Sequence, residues 1–309
     1  MIECIKLGLD NYKDGRDRNS GLFEFERIKE VVDKVSSYIS EFYGCSGLYD
    51  VLIILNGKAE SEEVEATIKK IDEWRNSCTN SKVIFVMSDS IALATCMDII
   101  SKCDYVFHQG IESVENDEIR PYIFDEIPSN VEQVYGYVPE LFYASNIPYN
   151  RDQKDMILFG GNDLRREDKF KEYIYDVCGN IRSDVFLLTK RYATGYDSRI
   201  DYSSFKKLIG MFKFNLMISR EEYRDSNWIT ARYFEAISNW SLPIIDFEFA
   251  KKFDFPEEII IRNKYDLNML MNSYCSDELD RVKIISKLRS KVNVKGFEDL
   301  ITKIVLGDF

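Results

Sequence analysis

The sequence predicts an α/β chain of two facing Rossmann-like domains with a cleft between them, and three observations carry that expectation. Continuous apolar runs of strand length recur along the chain, as at residues 49–56 (YDVLIILN) and 82–87 (KVIFVM). Segments with apolar residues at helical spacing lie between them, so strand and helix alternate as a parallel doubly wound sheet requires. Residues 139–155 (PELFYASNIPYNRDQKD) hold two prolines and no period, and divide the alternation into two cycles. The expected domains are 1–145 and 146–309.

Residues 2–8 alternate as a short strand, and 9–21 form a polar, turn-rich loop. From 22 to 42 apolar residues recur at Phe25, Ile28, Val31, Val32, Val35 and Ile39, one face of a helix. The strand at 49–56 precedes an acidic helix over 61–75, and the strand at 82–87 ends at Ser88-Asp89-Ser90. A helix over 92–102, a strand over 104–108 and a strand-like run at 131–138 complete the first cycle. The second cycle predicts strand 155–159, helix 167–178, strand 185–188, helix 203–212, strand 214–218, helix 230–239 and strand 242–247. A last strand falls at 259–261, and 277–305 reads as helices with the option of packing back on the first half. Two such domains in tandem describe the architecture called GT-B.

At 309 residues, 45% hydrophobic and 14% aromatic, the chain can bury two cores. Its apolar runs fall far short of the ~20 residues of a membrane span. The opening MIECIKLGLDN sets acids and a lysine where a secretion signal is continuously apolar. Seven cysteines (Cys4, Cys45, Cys78, Cys96, Cys103, Cys178, Cys275) are scattered without a CxxC, and His108 is the single histidine. That usage argues against a zinc site and for a reducing cytoplasm. The net charge of −12 is uneven, with 27 acids against 14 bases over 1–150 and 26 against 27 over 151–309. An acidic half repels phosphate backbones unless a local basic strip offsets it.

Two stretches of the second half carry chemistry. Gly160-Gly161-Asn162-Asp163-Leu164-Arg165-Arg166 follows a predicted strand. Glycines there let backbone approach a ligand, and the free N–H groups of a following helix favour an anion. Residues 227–249 (NWITARYFEAISNWSLPIIDFEF) set Arg232 and Glu235 three apart at the start of a helical pattern, on one face. A guanidinium and a carboxylate so placed suit a diphosphate and a diol, the two parts of a sugar nucleotide. An isolated Arg-x-x-Glu is more often a surface ion pair; the neighbouring residues favour the site.

These residues resemble the T-even phage DNA β-glucosyltransferase family, which transfers glucose from UDP-glucose onto 5-hydroxymethylcytosine in DNA. The likeness is most specific over 227–249, visible again at MILFGGNDLRREDKFKEY, and weaker through YDVLIILN, KVIFVMSDS and CDYVFHQGIE; the first loop does not align. By that resemblance Arg232 binds the diphosphate, Glu235 accepts from the ribose hydroxyls, and Arg165 or Arg166 is a second phosphate arginine. Gly160, Gly161 and Asn162 would line the phosphates, Ile200 the uracil, and Tyr223 would lie beside the nucleotide. Asp89 lines up with the base that takes the acceptor's proton in an inverting transfer. From the residues alone it serves equally as the cap of a helix beginning near Ile91. The resemblance implies a UDP-sugar donor, with Mg²⁺ or Mn²⁺ carried by the diphosphate rather than by a protein cage. It also implies a double-stranded DNA acceptor with a modified pyrimidine, in a host cytoplasm.

The departures bear on the acceptor. His108 stands where the family has serine and reads as a group satisfying local hydrogen bonds; Asn162 also replaces a serine, and the family's first-loop glutamate falls near Gly21. Arg16 and Arg18 in that loop are phosphate candidates or solvated cations. The acidic first half keeps a rival open, in which the same fold acts on a glycan, a lipid-linked sugar or a small molecule. A non-catalytic nucleotide-sugar-binding protein is a third reading, which fold alone does not exclude.

Overall fold

Two compact units make up the chain, one of Met1–Leu141 with Val294–Phe309 and the other of Phe142–Asn293. The structure, a computed structural model, describes residues 1–7, 20–42, 49–55, 61–87, 92–108, 127–134, 143–161, 167–189, 202–218, 223, 228–250, 255–292 and 296–308.

The first unit runs β1 (Ile2–Lys6), α1 (Ser20–Phe42), β2 (Asp50–Leu55), α2 (Ser61–Ser77), β3 (Ser81–Met87), α3 (Ala92–Ile100), β4 (Tyr105–His108) and β5 (Glu132–Val134). Its strands form one sheet in the order β1-β2-β3-β4-β5, and every pairing is parallel. Register places Ile53 beside Ile84 and Val86 beside Phe107. These alternate residues pack with Ile28, Val32, Val35 and Ile39 of α1 in one core. Leu52, Ile54, Phe85, Met87 and Val106, on the other face, are equally buried, so the strands read as continuous apolar runs. Helix α2 has Glu62 and Glu63 in its first turn and Arg75 in its last, complementing the helix dipole. It buries Thr67, Ile71 and Trp74 at helical spacing.

The second unit runs β6 (Lys154–Gly161), α4 (Glu167–Ile174), β7 (Val185–Thr189), α5 (Tyr202–Ile209), β8 (Phe212–Met217), α6 (Ala231–Ser238), β9 (Leu242–Asp246), α7 (Phe247–Ala250), β10 (Ile260–Ile261), α8 (Lys264–Ser276) and α9 (Glu278–Ser290). Its sheet is also parallel and has the order β10-β9-β8-β6-β7. The unit's first strand, β6, therefore lies inside the sheet with β7 on one side and β8 on the other. The chain reverses direction between β6 and β8, a topological switch point of the kind that opens a ligand crevice at the carboxyl ends of the strands.

After α9 the chain returns to the first unit as α10 (Phe297–Leu306). Phe297, Leu300, Ile301, Ile304 and Val305 enter the core beside α1. Lys34 Nζ donates to Glu298 Oε2 at 2.7 Å, and the Tyr49 N–H donates to the Val305 carbonyl at 3.1 Å. Gly307 ends the helix at φ +78°, a left-handed turn that glycine makes without strain. Among the described residues no helix is long and apolar enough to cross a membrane.

Several element boundaries differ from the pattern-based expectation. The helix expected over 167–178 ends at Ile174, because Tyr175 pairs with Ile181 in an antiparallel bridge. The Asp176 carboxylate accepts from the N–H groups of Cys178 and Asn180 there, an Asx turn that competes with helix. The helix expected over 203–212 ends at Ile209, and Phe212 opens β8 as a fully buried sheet residue. Helix α8 was not anticipated, although Asn263 caps it by accepting from the N–H groups of Tyr265 and Asp266. Helix α1 begins at Ser20, inside the stretch expected as loop, and residues 9–19 of that stretch lie outside the described residues.

Candidate nucleotide site

Strand β6 ends in Gly160 and Gly161 at the switch point, and α6 starts nearby. Thr230 is the N-cap of α6 but its side chain makes no cap hydrogen bond, and the first turn carries no acid. Arg232 instead occupies the second helical position. A cation at the positive end of a helix is electrostatically unfavourable. The Tyr233 N–H donates to the Thr230 carbonyl at 3.0 Å, and neither a side-chain cap nor a first-turn acid complements this helix start.

The Arg232 side chain is held from three directions. Its Nε lies 3.4 Å from Glu235 Oε2, with side-chain exposures of 29% for the arginine and 4% for the glutamate. Its Cζ sits 4.0 Å from the centre of the Phe205 ring, contributed by α5. Its Nη1 lies only 2.9 Å from where a side-chain carbon on Gly160 would stand. That Nη1 is buried and has no hydrogen-bond partner among the described residues. A buried guanidinium N–H without an acceptor costs on the order of 1–3 kcal/mol, which an oxyanion ligand would offset.

The far end of α6 is fixed by cations, in keeping with its dipole. Arg289 Nη1 donates to the carbonyls of Ile237 and Ser238 at 2.8 and 2.6 Å, and Nη2 to that of Ser145 at 2.5 Å. Arg281, fully buried, donates to the Trp240 carbonyl at 3.0 Å, to Tyr149 Oη at 3.1 Å and to Gln153 Oε1 at 3.0 Å. Burial lowers the pKa of both arginines. Trp240 adopts φ +59°, a left-handed conformation costing roughly 1–2 kcal/mol outside glycine. Its Nε1 donates to the Ile147 carbonyl at 2.8 Å, and Arg289 stacks on its ring at 4.4 Å. The carboxyl end of α6 is thus tightly bonded, whereas the N-cap side chain at its amino end makes no hydrogen bond.

Of the residues singled out in the sequence, the structure brings together Gly160, Arg232 and Glu235, with Gly161 ending the same strand. Tyr223 is half-buried, and its carbonyl accepts from the Trp228 N–H at 2.9 Å. His108 is fully buried at the end of β4, in register with Met87. Asp89, Asn162, Arg165, Arg166, Ile200, Arg16 and Arg18 lie outside the described residues. Phe205 was missed: an aromatic on the buried face of a short helix reads as core, and no local pattern tells which side chain it supports. Among the described residues no group of three or more His, Cys, Asp or Glu side chains could hold a metal ion.

No protein-family model matches the chain, and no curated protein sequence does. Solved structures do match. The β-glucosyltransferase of T4 phage, in complex with its UDP-glucose substrate, aligns at a TM-score of 0.58 and 15% identity, over 98% of this chain and 99% of that one. The same phage enzyme with UDP and Mn²⁺ aligns at a TM-score of 0.51 and 15% identity, over 98% and 99% of the two chains. An α-glucosyltransferase in complex with UDP aligns at 0.54 and 9% identity, over 89% and 84%. The likeness is one of fold. This chain has the α/β fold of these glucosyltransferases, as the strand and helix pattern led one to expect.

Proposed function

We propose that the second unit binds a UDP-sugar, and that the chain is an inverting glycosyltransferase moving glucose onto the hydroxymethyl group of a 5-hydroxymethylpyrimidine in DNA. The observation that carries the nucleotide reading is the buried Nη1 of Arg232, unpartnered among the described residues, at a helix start without a side-chain cap and beside the glycine end of β6. An anion there meets a guanidinium and the positive end of a helix dipole together. Glu235, one turn on and already held by Arg232, is the acceptor for ribose hydroxyls. Gly161, Asn162, Arg165 or Arg166, Ile200 and Tyr223 complete the donor site by resemblance, and Asp89 is the base. A divalent ion, where used, travels with the diphosphate.

The acceptor and the stereochemistry rest on the sequence resemblance. The structural neighbours include both an α- and a β-glucosyltransferase, and the 227–249 segment resembles the β enzyme. One neighbour is described with UDP-glucose and DNA containing an abasic site, which supports a DNA acceptor. The excess of acids over bases in residues 1–150 supports the second reading, a glycan, lipid-linked sugar or small-molecule acceptor. Incubation with UDP-glucose and hydroxymethylated or unmodified duplex separates the two. Transfer confined to the hydroxymethylated duplex, with a β-linked product by NMR, is expected. Donor turnover that ignores DNA would move the assignment to the second reading.

A further inference from the structure

We infer that Phe205 and Gly160 are positioning residues of the nucleotide site, acting through Arg232; the inference rests on the reading of Arg232 as the diphosphate-binding group. A guanidinium is a planar fork, and the orientation of its plane decides which pair of oxyanions it can meet. An arginine free in solvent samples many rotamers, and fixing one on binding weakens affinity.

Here three elements fix the plane beforehand. Phe205 of α5 lies under its face at 4.0 Å, Glu235 of α6 takes its Nε edge at 3.4 Å, and β6 passes close to Nη1 at Gly160. The same geometry gives Gly160 a different purpose from the one its position suggests. The space a side chain would occupy is taken by Arg232 Nη1 at 2.9 Å, with Phe205 Cε2 at 3.6 Å and Arg232 Cζ at 3.7 Å. The glycine therefore makes room for the arginine. A methyl group there would collide with the far end of a long side chain rather than with backbone, so the protein should keep its fold while the guanidinium is pushed out of its held position. That separates positioning from ordinary packing, which predicts unchanged binding once stability is unchanged.

The test is calorimetry of UDP binding by wild type, Gly160→Ala, Phe205→Leu and Phe205→Tyr, each substitution also made in an Arg232→Ala background, with thermal melts of every variant. Gly160→Ala and Phe205→Leu should each weaken UDP binding about tenfold, the scale of a desolvated cation–π contact. Phe205→Tyr, which keeps the ring, should bind UDP close to wild type. In the Arg232→Ala background the Gly160 and Phe205 substitutions should have no further effect, since residues acting through one partner are not additive. Wild-type UDP affinity in a well-folded Gly160→Ala protein would overturn the inference, as would equal losses with and without Arg232. Should Phe205→Leu fail to fold, Gly160→Ala still decides it. A wild-type protein that does not bind UDP would instead remove the nucleotide reading beneath it.

Discussion

Arg232 stands where a helix least favours a cation, and Glu235 only partly offsets it, since their contact is made through Nε and leaves Nη1 unpartnered. Arg232→Ala should therefore separate binding from stability. UDP affinity should fall by about 1.5–3 kcal/mol, the scale of charge-assisted hydrogen bonds. The melting temperature should fall little, because a repulsion with the helix dipole is also removed. Calorimetry with a thermal melt checks both, and equal UDP binding by the two proteins would end the nucleotide assignment. A second residue pair sets an acid limit on the same unit. Arg182 holds Asp184 through two hydrogen bonds of 2.9 and 2.7 Å, and these keep the carboxyl below its ordinary pKa. A depressed folded-state pKa contributes stability that is present above the unfolded value, near 3.8, and is lost as pH falls through the folded one. Denaturant melts below about pH 4 should thus show a loss in wild type that is smaller in Arg182→Met. The Arg232–Glu235 spacing was legible in the sequence because helical period is local. The role of Gly160 and the contact with Phe205 were not, because both depend on a residue far along the chain.

At the level of elements, β8 contains the clearest tension. Asn215 is fully buried in mid-sheet, in register with Leu158 and Pro243, and neither its Nδ2 nor its Oδ1 has a hydrogen-bond partner among the described residues. Asn215→Val, apolar and closer to asparagine in volume than leucine is, should leave stability unchanged or raise it by about 1 kcal/mol, because an unsatisfied amide is exchanged for an apolar group. A loss of more than about 1 kcal/mol in urea unfolding would show that the amide is satisfied in solution, by a buried water for instance. Strand cores such as DVLIIL and FKFNLM were legible because burial on both faces makes them apolar throughout. Element ends were less so. Helix α4 stops where Asp176 and Gly179 build a turn, and α5 gives way at Gly210 to a strand that needs Phe212 in the core. Helix α8 buries only Leu267, Leu270 and Met271, too thin a stripe to announce itself, so its asparagine cap was its best sequence signal.

For the whole molecule the division into units matters most, because the first unit is discontinuous, with Val294–Phe309 added to Met1–Leu141. Helix α10 adds five core residues beside α1, which no local pattern assigns to one half or the other. Ending the chain before Val294 should therefore cripple the unit that residues 1–141 form. The fragment 142–293 should still fold and bind UDP, since Gly160, Phe205, Arg232 and Glu235 all lie within it. Limited proteolysis and calorimetry on the two truncated proteins would show it. Cooperative unfolding of residues 1–141 without α10 would contradict the expectation.

The same discontinuity dictates an order on the ribosome. Residues 142–293 are synthesised before α10, so the second unit can close while the first still waits for its last helix. Until then the core that holds Val51, Ile53, Val86 and Phe107 lacks the five side chains of α10, Phe297 against Phe107 among them, and a nascent chain in that state is a natural client for a chaperone. In this protein the half made first is the half finished last.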